Sequence, residues 1–511
     1  MDIKFFHRDF SAEIIAPRSK NEVSMLEWNA IGGPEKAQID VSGQDVWEFI
    51  ERLRCPVKIY NDRHKVIWWG YVDGVTINDS NLQVSVNLTE FANRVRVSYS
   101  QVNVAGTIGE KAISAWAEDA TSRNEYGKRE KSVFLSQGTS EQALNLQRTL
   151  LDRWKYPIPG SKLTSSAGEL TAKISCVGWW QSLDWVYYEN DSGKEGYEES
   201  GSSDQNLGDN SARQIVAQSF KVSSAVGWEA QTIRLRLKKV GTPSDTVSVS
   251  LCADGGGVPG TILASASFSG ASLGEYQEWI EFTLSARVAL STSTTYWIRV
   301  LRSGSISSNN YYVLAVNQDL GYVNGMLKIY TGSSWVTRSP DADMLFAVGG
   351  VEETTSQLET MINTSGEFIT AVDVDVDSGV YSCPYRDGDQ FALAEIIELL
   401  NSGTTNHRRV LADVDENRRA RLYEEPVAGS YDNLMTKHGE FFDYLGKPVK
   451  AEDIRPGGWM RLKDVVPAST DTTLLADMTR FFVESVVYYP KDQRVDIVPR
   501  DQSKILKFGG I

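Results

Sequence analysis

The chain has 511 residues, 41% hydrophobic and 10% aromatic, a composition that fits a folded globular protein of roughly three to four domains and excludes disordered and fibrous classes. Its net charge is −15, and no run of as many as about five basic residues occurs, which argues against a surface that tracks nucleic-acid phosphates. No stretch approaches ~18 consecutive apolar residues, and the opening MDIKFFHRDF lacks the basic start and apolar centre of a signal peptide. The expectation is a soluble chain, made in a cytoplasm, with no transmembrane segment.

Residues 1–100 read as strand after strand. In CPVKIYNDRHKVIWWGYVDGVTIN two β-rich runs are joined by the polar turn NDRH, a hairpin signature, and Gly70 after two tryptophans marks a bulge or a close backbone approach. NLQVSVNLTEF then alternates Leu82, Val84, Val86 and Leu88 on one face. SGQDVWEFIERLR is the one helical segment here, with Val46, Phe49, Ile50 and Leu53 at helical spacing. The expected product is a small β-barrel capped by a helix.

Residues 101–205 are mixed. SEQALNLQRTLLDRWKYPIP predicts a helix capped by Ser140 and stopped by Pro157, and ELTAKISCVGWWQSLDWVYYE predicts a β-run after it. NDSGKEGYEESGSSDQNLGDNSAR has hardly any apolar residue and reads as a linker. Residues 206–350 then supply about eight strands at the spacing of a β-sandwich or jelly roll. In TIRLRLKKVG, Ile233, Leu235 and Leu237 face one way, and a Gly/Pro loop at 254–260 splits two further runs.

In 351–430, TSQLETMINTSGEFI and DQFALAEIIELLNSG are amphipathic helices flanking the alternating strand ITAVDVDVDSGVY. This short αβα unit lacks the strands to close a core and is expected to complete 101–205 as one mixed domain. Residues 431–511 repeat the barrel signature in PGGWMRLKDVV and in MTRFFVESVVYYPKDQRVDIVPRD, where PKDQ makes a hairpin turn. The expected fold class is mainly β with some α (α+β): two small β-barrels, a mixed αβ middle domain and an inserted jelly-roll or β-sandwich.

Motifs for catalysis are lacking. His7, His64, His407 and His438 sit in no HExxH, GxSxG or catalytic-cysteine context, and Cys55, Cys176, Cys252 and Cys383 are too scattered for a metal site. Asp373, Asp375 and Asp377 alternate as calcium ligands would, but Ser378 stands where the loop needs glycine and Pro384 where it needs glutamate. Acids on the solvent face of a strand explain that spacing, and no cofactor or metal is expected. GGGVPG at 255–260 lacks the lysine and following helix of a phosphate loop.

Aromatic residues are enriched in 206–350. Sugar rings stack C–H faces on aromatic planes, so exposed rings there are candidates for saccharide contact. Trp279 and Trp297 lie in strand-like runs and read as core. Trp335 in TGSSWVTR, Tyr322 in DLGYVNG and Tyr330 beside it are the candidate saccharide-contacting residues.

With these residues in view, the inserted module, through AQSFKVSS, IRLRLKKVGTPSDTVSVSLCADGGGVPGTILASASF and TTYWIRV, resembles the jelly-roll, carbohydrate-binding-like domains appended to bacterial surface and phage proteins. The flanking chain, through IWWGYVDGVTIN, LDRWKYP, ISCVGWWQSLDWVYYE, YRDGDQFALAEIIELLNSG and VLADVDENRRARLYEEP, is similar to the tail hub or minor tail proteins of long-tailed bacteriophages, a group related to baseplate hubs and the type VI secretion spike. The resemblance implies a non-enzymatic virion component at the tail tip. It would form a ring, usually a homotrimer, of β-barrels from residues 1–100 and 431–511. Neighbours would be a distal tail ring and tip or fibre proteins. The inserted module would contact a host-surface saccharide or brace neighbouring tail proteins. A free-standing carbohydrate-binding adhesin, a sixfold distal tail protein and a surface glycan hydrolase remain as alternatives.

Overall fold

The computed structural model describes residues 1–14, 19–102, 108–198, 201–222, 227–318, 321–427, 433–436, 438–463 and 480–500. The chain is mainly β with a smaller helical content. It divides into two compact units: Met1–Tyr188 with Leu358–Gly379 and Asp389–Ile511, and Glu189–Gln357 with Val380–Gly388.

The first unit is organised by a thirteen-stranded sheet. At its centre Gly160–Val177 lies between Val66–Asn87 and Gly33–Gly43, and Ser19–Asn29 follows. Ser19–Asn29 in turn pairs with Arg480–Tyr489, with Leu26 opposite Tyr488. Strands within residues 2–29 and 480–500 therefore share one open sheet, and the expected pair of separate closed barrels is not what the described residues form. Alternation of apolar residues fixes which face of a strand is buried but carries no information on which strand lies beside it. The barrel expectation for 464–479 and 501–511 falls outside the described residues.

The hairpin turn at NDRH forms, with Asn61 Oδ1 accepting the Arg63 and Lys65 N–H groups. Gly70 is a close approach, because a Cβ there would sit 2.1 Å from the Val177 carbonyl oxygen. The segment expected to be an α-helix after Asp45 is a 3₁₀ helix, Val46–Arg52. The helix Ser140–Trp154 is capped one residue earlier than expected, by Thr139 in a capping box with Gln142, and packs on a four-stranded sheet that includes Arg94–Val102 and Glu130–Gly138.

The αβα segment contributes a three-stranded sheet of Ala371–Val374, Arg419–Glu424 and Val410–Val414, with helix Ala392–Ser402. Leu358, Met361, Ile396 and Leu400 enter the same core as Trp179, Trp180 and Trp185. Phe368 stacks on Tyr71 at 4.7 Å within it. Asp373 and Asp375 form 2.5 Å ion pairs with Arg419 and Arg421, which occupies two of the three acids that resembled a calcium loop, and Asp377 accepts the Gly379 N–H. No group of His, Cys, Asp and Glu able to hold a metal ion is found among the described residues. No helix among them is long and apolar enough to cross a membrane.

The second unit is a sandwich. One sheet has the order Lys194–Tyr197, Phe346–Glu353, Glu229–Val240, Tyr311–Asn317, Ser203–Leu207, with Glu278–Ala289 also paired to Glu229–Val240. The other has the order Pro259–Ser269, Thr246–Asp254, Thr295–Arg302, Ile215–Lys221, Leu327–Tyr330, Trp335–Thr337. Ile233, Leu235, Leu237, Leu314 and Val348 from the first sheet meet Val216, Phe220, Val249, Ile298 and Val300 from the second in one buried core. The stretch read as a linker supplies two strands of this sandwich, Lys194–Tyr197 and Ser203–Leu207, at the outer positions of the main sheet order. Such strands bury few side chains, here Glu195, Tyr197, Gln205 and Leu207, which is why they look like linker in sequence.

Candidate functional site

In the six-stranded sheet every second side chain points into the sandwich core, so the alternate set defines its outer face. Core residues Val216, Ile298 and Leu251 alternate with Ala217, Trp297 and Cys252, which form a separate buried cluster against which Trp335 packs. The pairing register lays out this face row by row. Trp335 is opposite Tyr330, Tyr330 opposite Ile215, and Ile215 opposite Leu301. In the next row Thr337, Lys328, Ala217, Arg299 and Ser250 are successive partners, and beyond it Ser219, Trp297 and Cys252. With strands ~4.8 Å apart, Arg299 lies about 10 Å across the sheet from Lys328. Ala217 between them is fully buried, in the cluster against which Trp335 packs.

Tyr330 and Trp335 are half-buried, with ring centroids 5.4 Å apart and planes tilted by 55°. The turn TGSS that joins their strands is closed by bonds from the Thr331 N–H and hydroxyl to the Ser334 carbonyl. Trp297 is 1% exposed, although it faces away from the sandwich core. Its indole N–H donates to Asp254 Oδ1 at 2.7 Å, and the same carboxylate accepts the Gly256 and Gly257 N–H groups. Lys328 donates to the Gly257 carbonyl at 2.6 Å and stands 5.7 Å from the Trp297 ring centroid. The glycine loop is thus tied to the face from both sides. The Trp297 N–H bond above all holds the Asp254 carboxyl below its usual range, against the opposing effect of burial and with help from the Gly257 and Gly256 N–H groups and the Lys328 charge.

Arg299 differs from these residues. Among the described residues it has no hydrogen bond and no ion pair, so its guanidinium keeps all its donors for a ligand. Burial pushes the Cys252 thiol up while the Arg299 charge pulls the other way. The face can therefore offer two aromatic rings, the Arg299 guanidinium and the exposed hydroxyl of Thr337.

The structure brings two of the three sequence candidates together. Trp335 and Tyr330 are a cross-strand pair on this face, whereas Tyr322 is 7% exposed and serves the core. Its hydroxyl donates to Glu195 at 3.0 Å and its ring meets Phe346 edge-on at 5.2 Å, which leaves no plane for a sugar. Sequence reasoning missed Arg299, Lys328 and Asp254. The signal for Arg299 was present, since it is in phase with Trp297 in YWIRV and out of phase with Ile298 and Val300. Tyr276, 87% exposed, lies off this face in the connection leading to Glu278–Ala289.

No family model matches the chain, and no characterised protein matches it in sequence. Among solved structures it is similar to the cysteine protease and lectin-like domains of a surface layer associated protein of Clostridium difficile, at 12% identity, over 55% of this chain and 59% of that one, with a TM-score of 0.23. It is also similar to a glycoside hydrolase family 43 arabinoxylan arabinofuranohydrolase from Bacillus subtilis, at 10% identity, over 58% and 64%, with a TM-score of 0.15. The chain spans less than two thirds of the length of either.

Proposed function

We propose that the chain is a non-enzymatic structural protein of the tail tip of a long-tailed bacteriophage, assembling as a ring through its first unit and holding a surface saccharide on the outer face of its sandwich. The observation that carries the reading is the insertion in sequence of a sandwich with its own core into a unit whose sheet joins strands within residues 2–29 and 480–500. Such an arrangement suits a scaffold that has acquired a binding module. The paired Tyr330 and Trp335, with unpaired Arg299 on the same face, suit the C–H faces and polar groups of a sugar chain. A single shallow face binds weakly, and three copies on a ring gain ~10²–10⁴ in avidity where geometry permits simultaneous engagement.

The test is the light-scattering mass of the full chain over a hundredfold concentration range, with negative-stain images, beside glycan-array binding of the wild type and Trp335→Ala. Threefold rings and saccharide binding that Trp335→Ala weakens support the proposal. Sixfold rings would move it to a distal tail protein. A monomer that binds glycan would make it an adhesin, and glycan turnover a hydrolase.

A further inference from the structure

The first unit contains a cavity of about 770 Å³ between residues 7–14, the 3₁₀ helix Val46–Arg52 and the helix Ala120–Tyr126. Arg8, Arg52 and Arg54 line it together with Cys55, and all three guanidiniums act electrostatically on the Cys55 thiol, so their charges converge on one wall. Two of the three are neutralised. Arg8 pairs with Glu125 at 2.6 Å and also donates to the Leu53 and Glu51 carbonyls, and Arg54 pairs with Glu367.

Arg52 has no such partner. Its side chain is buried, 4% exposed, between the rings of Phe5 and Phe49 at 5.0 and 4.8 Å. No hydrogen bond or ion pair engages its guanidinium among the described residues, and Arg52 Nη1 and Arg54 Nε are both buried without an acceptor. A buried cation lacking both a carboxylate and hydrogen bonds is costly, and buried donors left open in a folded protein call for an ion or water that completes them. The acids around the cavity do not fill that role. Glu125 is engaged by Arg8, the Asp9 carboxylate accepts the Ser11 N–H, and Glu48 and Glu51 are exposed, Glu48 acting on Arg52 through its charge without a hydrogen bond or ion pair. Exposed carboxylates near the cavity also disfavour a polyanion, which leaves a compact, singly or doubly charged oxyanion as the guest.

We infer that this cavity is a receptor for one small oxyanion, a phosphate or a carboxylate, held by the part of the Arg52 guanidinium that lines it. The inference is independent of the saccharide face and of ring assembly. Inorganic phosphate and acetate are the probes, titrated calorimetrically into the full chain at constant ionic strength set by chloride, with melting followed in parallel. The wild type binds one phosphate or acetate per chain and its melting temperature rises with that anion. Arg52→Met weakens binding by about tenfold or more, as expected for losing a charge-assisted contact, and in anion-free buffer it is at least as stable as the wild type because a lone buried charge is gone. Absence of binding to the wild type, or an equal response in Arg52→Met, would overturn the inference. Should Arg52→Met not fold, Glu48→Gln decides: loss of a nearby negative charge tightens phosphate binding by about threefold if the site exists, and an unchanged affinity sinks it.

Discussion

Asp254→Ala tests whether the outer face of the sandwich is held in advance of any ligand. The substitution removes the acceptor of the Trp297 indole N–H at 2.7 Å and of the Gly256 and Gly257 N–H groups. The exposed glycines can turn to water, but Trp297 is 1% exposed and its N–H is left facing protein. An orphaned buried donor costs about 1–3 kcal/mol, and that is the expected loss in urea unfolding of the sandwich at neutral pH. Asp254→Asn keeps one acceptor and loses about 1 kcal/mol or less. The pH dependence follows the same bond. Because the folded-state pKa lies below the unfolded value, chiefly through the Trp297 N–H, the contribution is complete above the unfolded pKa of about 3.9 and is lost as pH falls through the folded pKa. Asp254→Asn removes that acid limb. A loss below about 0.5 kcal/mol for Asp254→Ala, or an unaltered acid limb in Asp254→Asn, would refute the reasoning and show water standing in for the carboxylate.

Trp335→Ala lowers saccharide affinity by about 0.5–1.5 kcal/mol, the worth of one ring contact, whereas Tyr322→Phe leaves it unchanged and instead costs about 1 kcal/mol of stability through the lost bond to Glu195; binding and unfolding measured on both variants check the pair. Asp245→Ala strands Arg302, whose side chain is 6% exposed and bonded twice to Asp245 at 2.8 and 2.9 Å, and costs about 3–5 kcal/mol in denaturant unfolding. Burial acts to raise Asp245, but the bonds from Arg302, the Gly304 N–H and Tyr312 outweigh it and hold the carboxyl low, so this contribution also disappears on the acid side. Thr139→Ala opens the capping box of Ser140–Trp154 and costs about 1 kcal/mol, read by hydrogen exchange in the first turn of that helix.

The parts of the fold legible in the sequence are those written in local periodicity. Ile233, Leu235 and Leu237 are all fully buried, as their alternation requires, and the turn at Asn61 and the close approach at Gly70 carry their own residue signatures. Partners distant in the chain leave no such trace: nothing in Leu26 or Tyr488 announces that they face each other across two strands. Nor do strands at the margin of a sheet, since Lys194–Tyr197 and Ser203–Leu207 need only a few inward side chains and are otherwise polar. The same limit explains Tyr322. A glycine-rich context marks a turn correctly but cannot say that the ring swings inward to Phe346. Arg299 illustrates the reverse case, because a charged residue in phase with a tryptophan marks the outer face, while its lack of a partner is visible only once the neighbouring strands are placed.

The geometry of the aromatic pair constrains the kind of saccharide the proposed site would take. A flat polysaccharide surface needs ring planes that are parallel to one another, whereas Tyr330 and Trp335 are tilted by 55° and sit at one margin of the sheet. Tilted planes contact successive faces of a chain that twists. Their half-buried state and the tight turn between their strands keep the angle fixed, so little ordering cost is left for the moment of binding. Arg299, near the middle of the sheet with its donors free, then reaches polar groups that project from such a chain toward the sheet. A guanidinium is a stronger partner for a carboxylate or phosphate substituent than for a hydroxyl. If the proposed saccharide site is used, a twisted glycan bearing anionic substituents would match this face better than a flat polysaccharide surface.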